Sequence, residues 1–147
     1  MVEIFKSMKG IWALQRTCSI GAVMQGTVKF SETNEKLLYH YQEESIVYFE
    51  DKSYRAHKEY AYSYDINKIM IHLWNKKEDQ KADLLHTLEF SNYTHNCWPI
   101  SSYSVHNCKQ DIYRLHFVLV TPEKLQLNYQ VQGPHKNYTI QTLLHKR

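Results

Sequence analysis

The chain has 147 residues, enough to bury a substantial core. Four glycines and three prolines exclude collagen-like and disordered chains, and a net charge of +3, with 18 basic and 15 acidic residues interspersed, leaves no basic stripe of the kind nucleic-acid binders carry. No apolar run approaches a membrane span and MVEIFKSMKG lacks the apolar heart of a signal peptide, so a cytoplasmic protein with neither nucleic-acid nor membrane partner is expected. Cys18, Cys97 and Cys108 are odd in number and fit free thiols in a reducing compartment.

EIFKSM predicts one or two helical turns at the start, and from there the pattern alternates. Trp12, Leu14 and Arg16 share one face of a strand over about 11–18, and Val28 and Phe30 share a face of the next. Leu37, Tyr39 and Tyr41 follow, then a separate short segment near Ile46–Phe49. Tyr54, Ala56, Lys58, Tyr60, Tyr62 and Tyr64 keep one parity over a long run. DINK (65–68) reads as a turn, Ile69, Ile71 and Leu73 as the next inward set, and NKKEDQKAD (75–83) as a solvated loop. Leu84, His86, Leu88 and Phe90 share a face, and so do Tyr113, Leu115, Phe117 and Leu119. After the TPEK turn, Leu125, Leu127, Tyr129 and Val131 make a strand, and after GPHK (133–136) Tyr138, Ile140, Thr142 and Leu144 make the last one.

Such regularly spaced period-2 segments predict an all-β fold: one domain over 1–147, an antiparallel meander barrel of about eight to ten strands behind a short N-terminal helix. Closure removes sheet edges, and a barrel near this size is either filled by side chains or holds one small ligand. A flatter sandwich is the architectural alternative. Residues 91–104 are the longest irregular stretch, a length that suits a lid, a binding loop or an interface.

KGIW (9–12) sets Gly-x-Trp at the start of the first strand, which resembles the opening of the calycins, the lipocalin and fatty-acid-binding barrels. That resemblance implies a Trp12 that plugs one barrel end, usually under a late arginine; here Lys146 and Arg147 are the only late basic residues and read as a frayed tail. The stretches KEYAY (58–62), LHTLEF (85–90), HNCKQDIY (106–113) and VQGPHKNY (131–138) are together similar to a family of small, functionally uncharacterised, mainly bacterial proteins. The likeness runs over nearly the whole chain, with Tyr129 where that family often carries Trp and an insert of this chain's own around Cys97–Pro99. It implies a calycin-like barrel and no settled activity.

Several polar residues stand at core positions. His86, between Leu84 and Leu88, is either a hydrogen-bonded core histidine or a pocket residue. Asp111 shares parity with Tyr113 and Leu115 and needs a partner, for which Arg16 is the candidate. His106 and Cys108 share a face with each other but have the opposite parity, so a bulge would be needed to join them to Asp111 and Tyr113. A zinc set of His95, Cys97, His106 and Cys108 has unusual spacing, and a Cys108–His106 nucleophile lacks an orienting group; no metal and no cofactor are expected.

The leading expectation is a barrel that binds a small organic molecule, lined by Tyr60, His86, His106, Asp111, Tyr113 and Tyr129. Tyr138 joins them by parity, Lys136 folds over the mouth, and Trp12 closes the far end. Two alternatives stay open: an isomerase, lyase or metal-assisted hydrolase using His86 or His106 with Asp111, and an interaction module with a filled barrel, expected to form a homodimer through Trp98.

Overall fold

The computed structural model describes residues 1–90 and 98–147. A six-residue helix α1 (Val2–Ser7) is followed by ten strands. The first five are β1 (Gly10–Cys18), β2 (Val23–Glu32), β3 (Leu38–Phe49), β4 (Lys52–Asp65) and β5 (Lys68–Asn75). The others are β6 (Gln80–Glu89), β7 (Ile100–Cys108), β8 (Asp111–Thr121), β9 (Lys124–Gly133) and β10 (Lys136–Lys146). All pair antiparallel in the order β6-β5-β4-β3-β2-β1-β10-β9-β8-β7. The two edge strands, β6 and β7, come side by side without a ladder between their described residues, so the meander is a nearly closed barrel.

Turn chemistry sets the registers. Phe49 pairs with Lys52, Asp65 with Lys68 and Cys108 with Asp111, each across a two-residue turn with at least one left-handed residue: Glu50 (φ 56°), Asn67 (φ 60°) and Lys109 (φ 57°). Close approach is built in at Gly26, where a Cβ would stand 2.0 Å from the Glu44 carbonyl oxygen, so β2 can press onto β3.

Most of the alternation holds, with four differences. QEES (42–45) is no break: β3 runs unbroken because inward Glu43 and Ser45 are accommodated as buried polar residues. The charged segment 75–83 narrows to a turn, since β5 reaches Asn75 and β6 starts at Gln80. The irregular stretch expected to 104 ends before Ile100, where β7 begins; its 91–97 portion lies outside the described residues. Lys146, expected to fray, is the final strand residue and pairs with Trp12.

One barrel end is solid. Phe5 and Met8 from α1 and its cap pack with Trp12, Phe30, Tyr39 and Leu144, and Trp12 is fully buried. Its indole Nε1 donates to the Met8 carbonyl at 2.8 Å, and Phe5 stacks on Tyr39 at 4.7 Å. Lys146 Nζ lies 5.7 Å from the Trp12 ring centroid and donates to the Ser7 carbonyl, tying β10, β1 and the helix together.

Truncating a fully buried tryptophan leaves a large cavity. Trp12→Ala should cost about 3–5 kcal/mol, read as a lower urea midpoint, and a loss under about 1 kcal/mol would contradict this packing.

Candidate functional site

Beyond the solid end the lumen is hollow. The cavity measures about 740 Å³, within the range of small-molecule sites. Its wall takes Tyr60 and Tyr62 from β4, His86 from β6, His106 from β7, Tyr113 from β8, Tyr129 from β9 and Tyr138 from β10. Ile71, Leu127, Val131 and Ile140 supply apolar wall between them. Burial raises the phenols of Tyr62 and Tyr129, so both stay neutral donors at ordinary pH.

An ion pair anchors this wall. Arg16 on β1 grips Glu43 on β3 with both arms, Nη1 to Oε2 at 2.7 Å and Nη2 to Oε1 at 2.8 Å. Its Nε donates to Thr142 Oγ1 at 2.8 Å, and Tyr41 Oη donates to Glu43 Oε1 at 2.6 Å. The Glu43 side chain is 1% exposed and that of Arg16 10%. Burial alone would raise the Glu43 carboxyl; the Arg16 hydrogen bonds and charge outweigh it and hold the pKa below the ordinary carboxylate value. Lys58, opposite Glu43 in the β3–β4 ladder, also lines the cavity, and its pKa is lowered by burial and then by the charge of Arg16.

The seam between β6 and β7 carries the imidazoles. His86 Nδ1 meets Ser104 Oγ at 2.9 Å across it, and the His86 and His106 rings are 6.1 Å apart. Burial, then His106, pushes the His86 pKa down to about 4, so this ring is neutral at ordinary pH. The β5–β6 register slips between Ile71↔His86, His72↔Leu84 and Trp74↔Lys81. That irregularity lets the consecutive residues Asp83, Leu84 and Leu85 all reach the cavity mouth.

VHNCKQDIYRLHF (105–117) is a β-hairpin. His106 pairs with Tyr113 and Cys108 with Asp111, so these residues share a face without any bulge, because the turn at 109–110 exchanges odd for even parity. Asp111 takes Lys136, not Arg16: Lys136 Nζ lies 3.0 Å from Asp111 Oδ2 and donates to Tyr113 Oη at 3.0 Å. Those contacts hold the Lys136 pKa above its ordinary value. Gly133 makes the seat, since a Cβ there would stand 2.0 Å from Asp111 Oδ1. The stretches HNCKQDIY and VQGPHKNY thus meet at one rim of the barrel.

Of the residues singled out in the sequence, Tyr60, His86, His106, Tyr113, Tyr129 and Tyr138 lie on the cavity wall. Asp111 and Lys136 stand at the rim behind Tyr113, and Trp12 lies in the solid end, out of reach of the cavity. The sequence alone does not mark Arg16, Glu43 or Lys58 as site residues; the parity of 39, 41 and 43 along β3 is the signal that places Glu43 inside. His95 and Cys97, half of the zinc set, lie outside the described residues, and among those described no three metal-ligating side chains converge.

Residues 8–146 match the profile of the Family of unknown function (DUF6314), and the chain belongs to that family. No curated protein matches the sequence. The fold is similar to that of the S-type phycobiliprotein lyase CPES from Guillardia theta, with a TM-score of 0.62 and 7% identity over 99% of this chain and 92% of that one. It is also similar to the redesigned barrel mFAP1 solved bound to DFHBI, with a TM-score of 0.55 and 8% identity over 97% of this chain and 98% of that one. A de novo designed fluorescence-activating barrel matches over 100% of both chains at a TM-score of 0.55 and 7% identity. At these identities the likeness is one of fold.

Arg16→Met strands a buried carboxylate and should destabilise the protein by about 3 kcal/mol in urea unfolding, whereas Arg16→Met with Glu43→Leu should recover most of that loss. A double variant as unstable as the single one would contradict the pairing. For His86 the folded pKa of about 4 lies below the ordinary 6.5. The unfolded chain therefore binds more protons between these values, and stability falls as pH drops from about 6.5 to about 4. Half-buried His72 adds to that slope and His57, raised by its hydrogen bond to Glu59, opposes it. The His86→Gln curve should accordingly be flatter than that of the wild type over this window; parallel curves would mean that His86 is not held neutral.

Proposed function

We propose that this member of a family of unknown function binds a small organic molecule in the hollow half of its barrel, one calycin-like domain. The observation that carries the reading is a cavity of about 740 Å³ walled by phenols, imidazoles and aliphatic groups, the mixture that orients a ligand while excluding water. A barrel kept as a plain scaffold gains stability from filling such a space, since each buried methylene adds about 0.8 kcal/mol. The same cavity argues against an interaction module, whose lumen would be packed solid.

In this reading Tyr60, Tyr129 and His86 line the binding space, with His106, Tyr113 and Tyr138 toward its mouth. Asp111 and Lys136 hold Tyr113 in place from the rim. Trp12 acts as the floor under the site, through the packing of the solid end. The similar fold of mFAP1, a barrel solved bound to DFHBI, supports the idea that this architecture accommodates a small organic guest.

Neutral phenylnaphthylamine, whose fluorescence rises in apolar surroundings, serves as a probe. It should bind one per chain and, at 100 times its Kd, stabilise the protein by about 2.7 kcal/mol. Ile140→Trp, which fills the cavity from β10, should weaken binding at least tenfold while leaving the fold intact by circular dichroism. Unchanged affinity in that variant would show that the probe binds elsewhere and would defeat the assignment.

A further inference from the structure

Charges inside the hollow half do not cancel. Arg16 and Lys58 contribute two cations and Glu43 one anion, while Asp83 and Lys109 offset each other at the mouth. Both Glu43 oxygens are committed, Oε2 to Arg16 at 2.7 Å, Oε1 to Arg16 at 2.8 Å and to Tyr41 at 2.6 Å. Lys58 stands directly across the ladder from Glu43, yet its ammonium makes no ion pair or hydrogen bond among the described residues.

Two neighbours share that condition. Tyr60 follows Lys58 on the same face of β4, and Tyr129 faces the cavity from β9; neither phenol has a hydrogen-bond partner among the described residues. Burial raises both, so both keep their protons. An ammonium carries donors only, and a phenol presents one donor beside its acceptor oxygen. The site therefore holds three donor groups that no acceptor among the described residues uses, and one of them is a full positive charge. Burial, and after it the charge of Arg16, lowers the Lys58 pKa, and Glu43 opposes this only in part.

Building on the binding reading above, we propose that the occupant is a small aromatic anion. Its negative group sits on Lys58 beside Arg16, within reach of the Tyr60 and Tyr129 hydroxyls, and its ring lies against the aromatic wall of Tyr62, Tyr129 and His86. Arg16 is neutralised by Glu43 and contributes field and rigidity, so Lys58 is the group that discriminates charged from neutral guests. Lys58 lines the cavity yet is exposed as a residue, so the site opens to water and exchange of ligand requires no unfolding.

Two probes that share a ring system test this: anilinonaphthalene sulfonate and its uncharged relative phenylnaphthylamine, titrated by fluorescence into the intact protein. The wild type should bind the sulfonate roughly tenfold to a hundredfold more tightly than the neutral compound, the ratio one charge-assisted contact supplies. Lys58→Met should erase that preference by weakening sulfonate binding at least tenfold, and Lys58→Arg should restore it. Equal affinity for both probes in the wild type, or sulfonate binding indifferent to Lys58→Met, overturns the anion assignment and leaves the cavity reading standing. Binding of both probes undisturbed by Ile140→Trp overturns the cavity reading and this inference together.

Discussion

Glu43 sits in the barrel interior with 1% of its side chain exposed, and a carboxylate stays ionised there only against a well-made partner. Arg16 is that partner, and much of the hollow half follows from the pair. Arg16 reaches across from β1 to β3 and back to Thr142 on β10, so three strands of the wall are also braced on the inner side. A hydrated or hydrogen-bonded lining resists the collapse that an oily one invites, because each polar group left unpaired by collapse costs about 1–3 kcal/mol. The lumen divides accordingly. Phe5, Trp12 and Phe30 fill the end where packing is apolar, and space opens where Arg16, Glu43 and the tyrosines begin.

The hollow half has two kinds of polar construction. Arg16 and Glu43 are matched to each other within the protein. At the rim, Asp111, Lys136 and Tyr113 form a second matched set, seated by the bare backbone of Gly133. His86 and Ser104 satisfy each other across the seam where backbone pairing stops, so a side-chain hydrogen bond does there what a ladder does elsewhere. Set against these, the donors of Lys58, Tyr60 and Tyr129 stand out by having no such arrangement.

Much of this was legible from residues alone. A period of two, kept by Tyr54 through Tyr64 and by Tyr138 through Leu144, is enough to place an inner face, because side-chain direction in a strand is fixed by parity. Parity failed at turns and at polar inward positions. The apolar pattern of β3 lapses between Tyr41 and Ile46 because Glu43 and Ser45 are polar, although 39, 41, 43, 45 and 47 all point one way. His106 and Asp111 looked opposed because a two-residue turn exchanges odd for even, which local pattern does not display. Partner choice was the hardest part. Arg16 and Asp111 both face inward, but their strands are separated around the barrel by β10 and β9, a distance that strand order alone reveals. The role of Lys146 is hidden for the same reason, since only its pairing with Trp12 brings it over that ring.

That no ladder joins β6 to β7 among the described residues has a topological consequence. Strands β1 and β10 are hydrogen-bonded from Trp12↔Lys146 to Cys18↔Ile140, so the start of β1 and the end of β10 lie side by side. Joining those ends and cutting between β6 and β7 would give a circularly permuted chain running β7-β8-β9-β10-β1-β2-β3-β4-β5-β6. Each strand in that order pairs with the one before it, so the long-range closure between first and last strands of the present chain becomes an ordinary local hairpin. The break in the wall among the described residues is thus also the place where the polypeptide can be opened with every ladder kept.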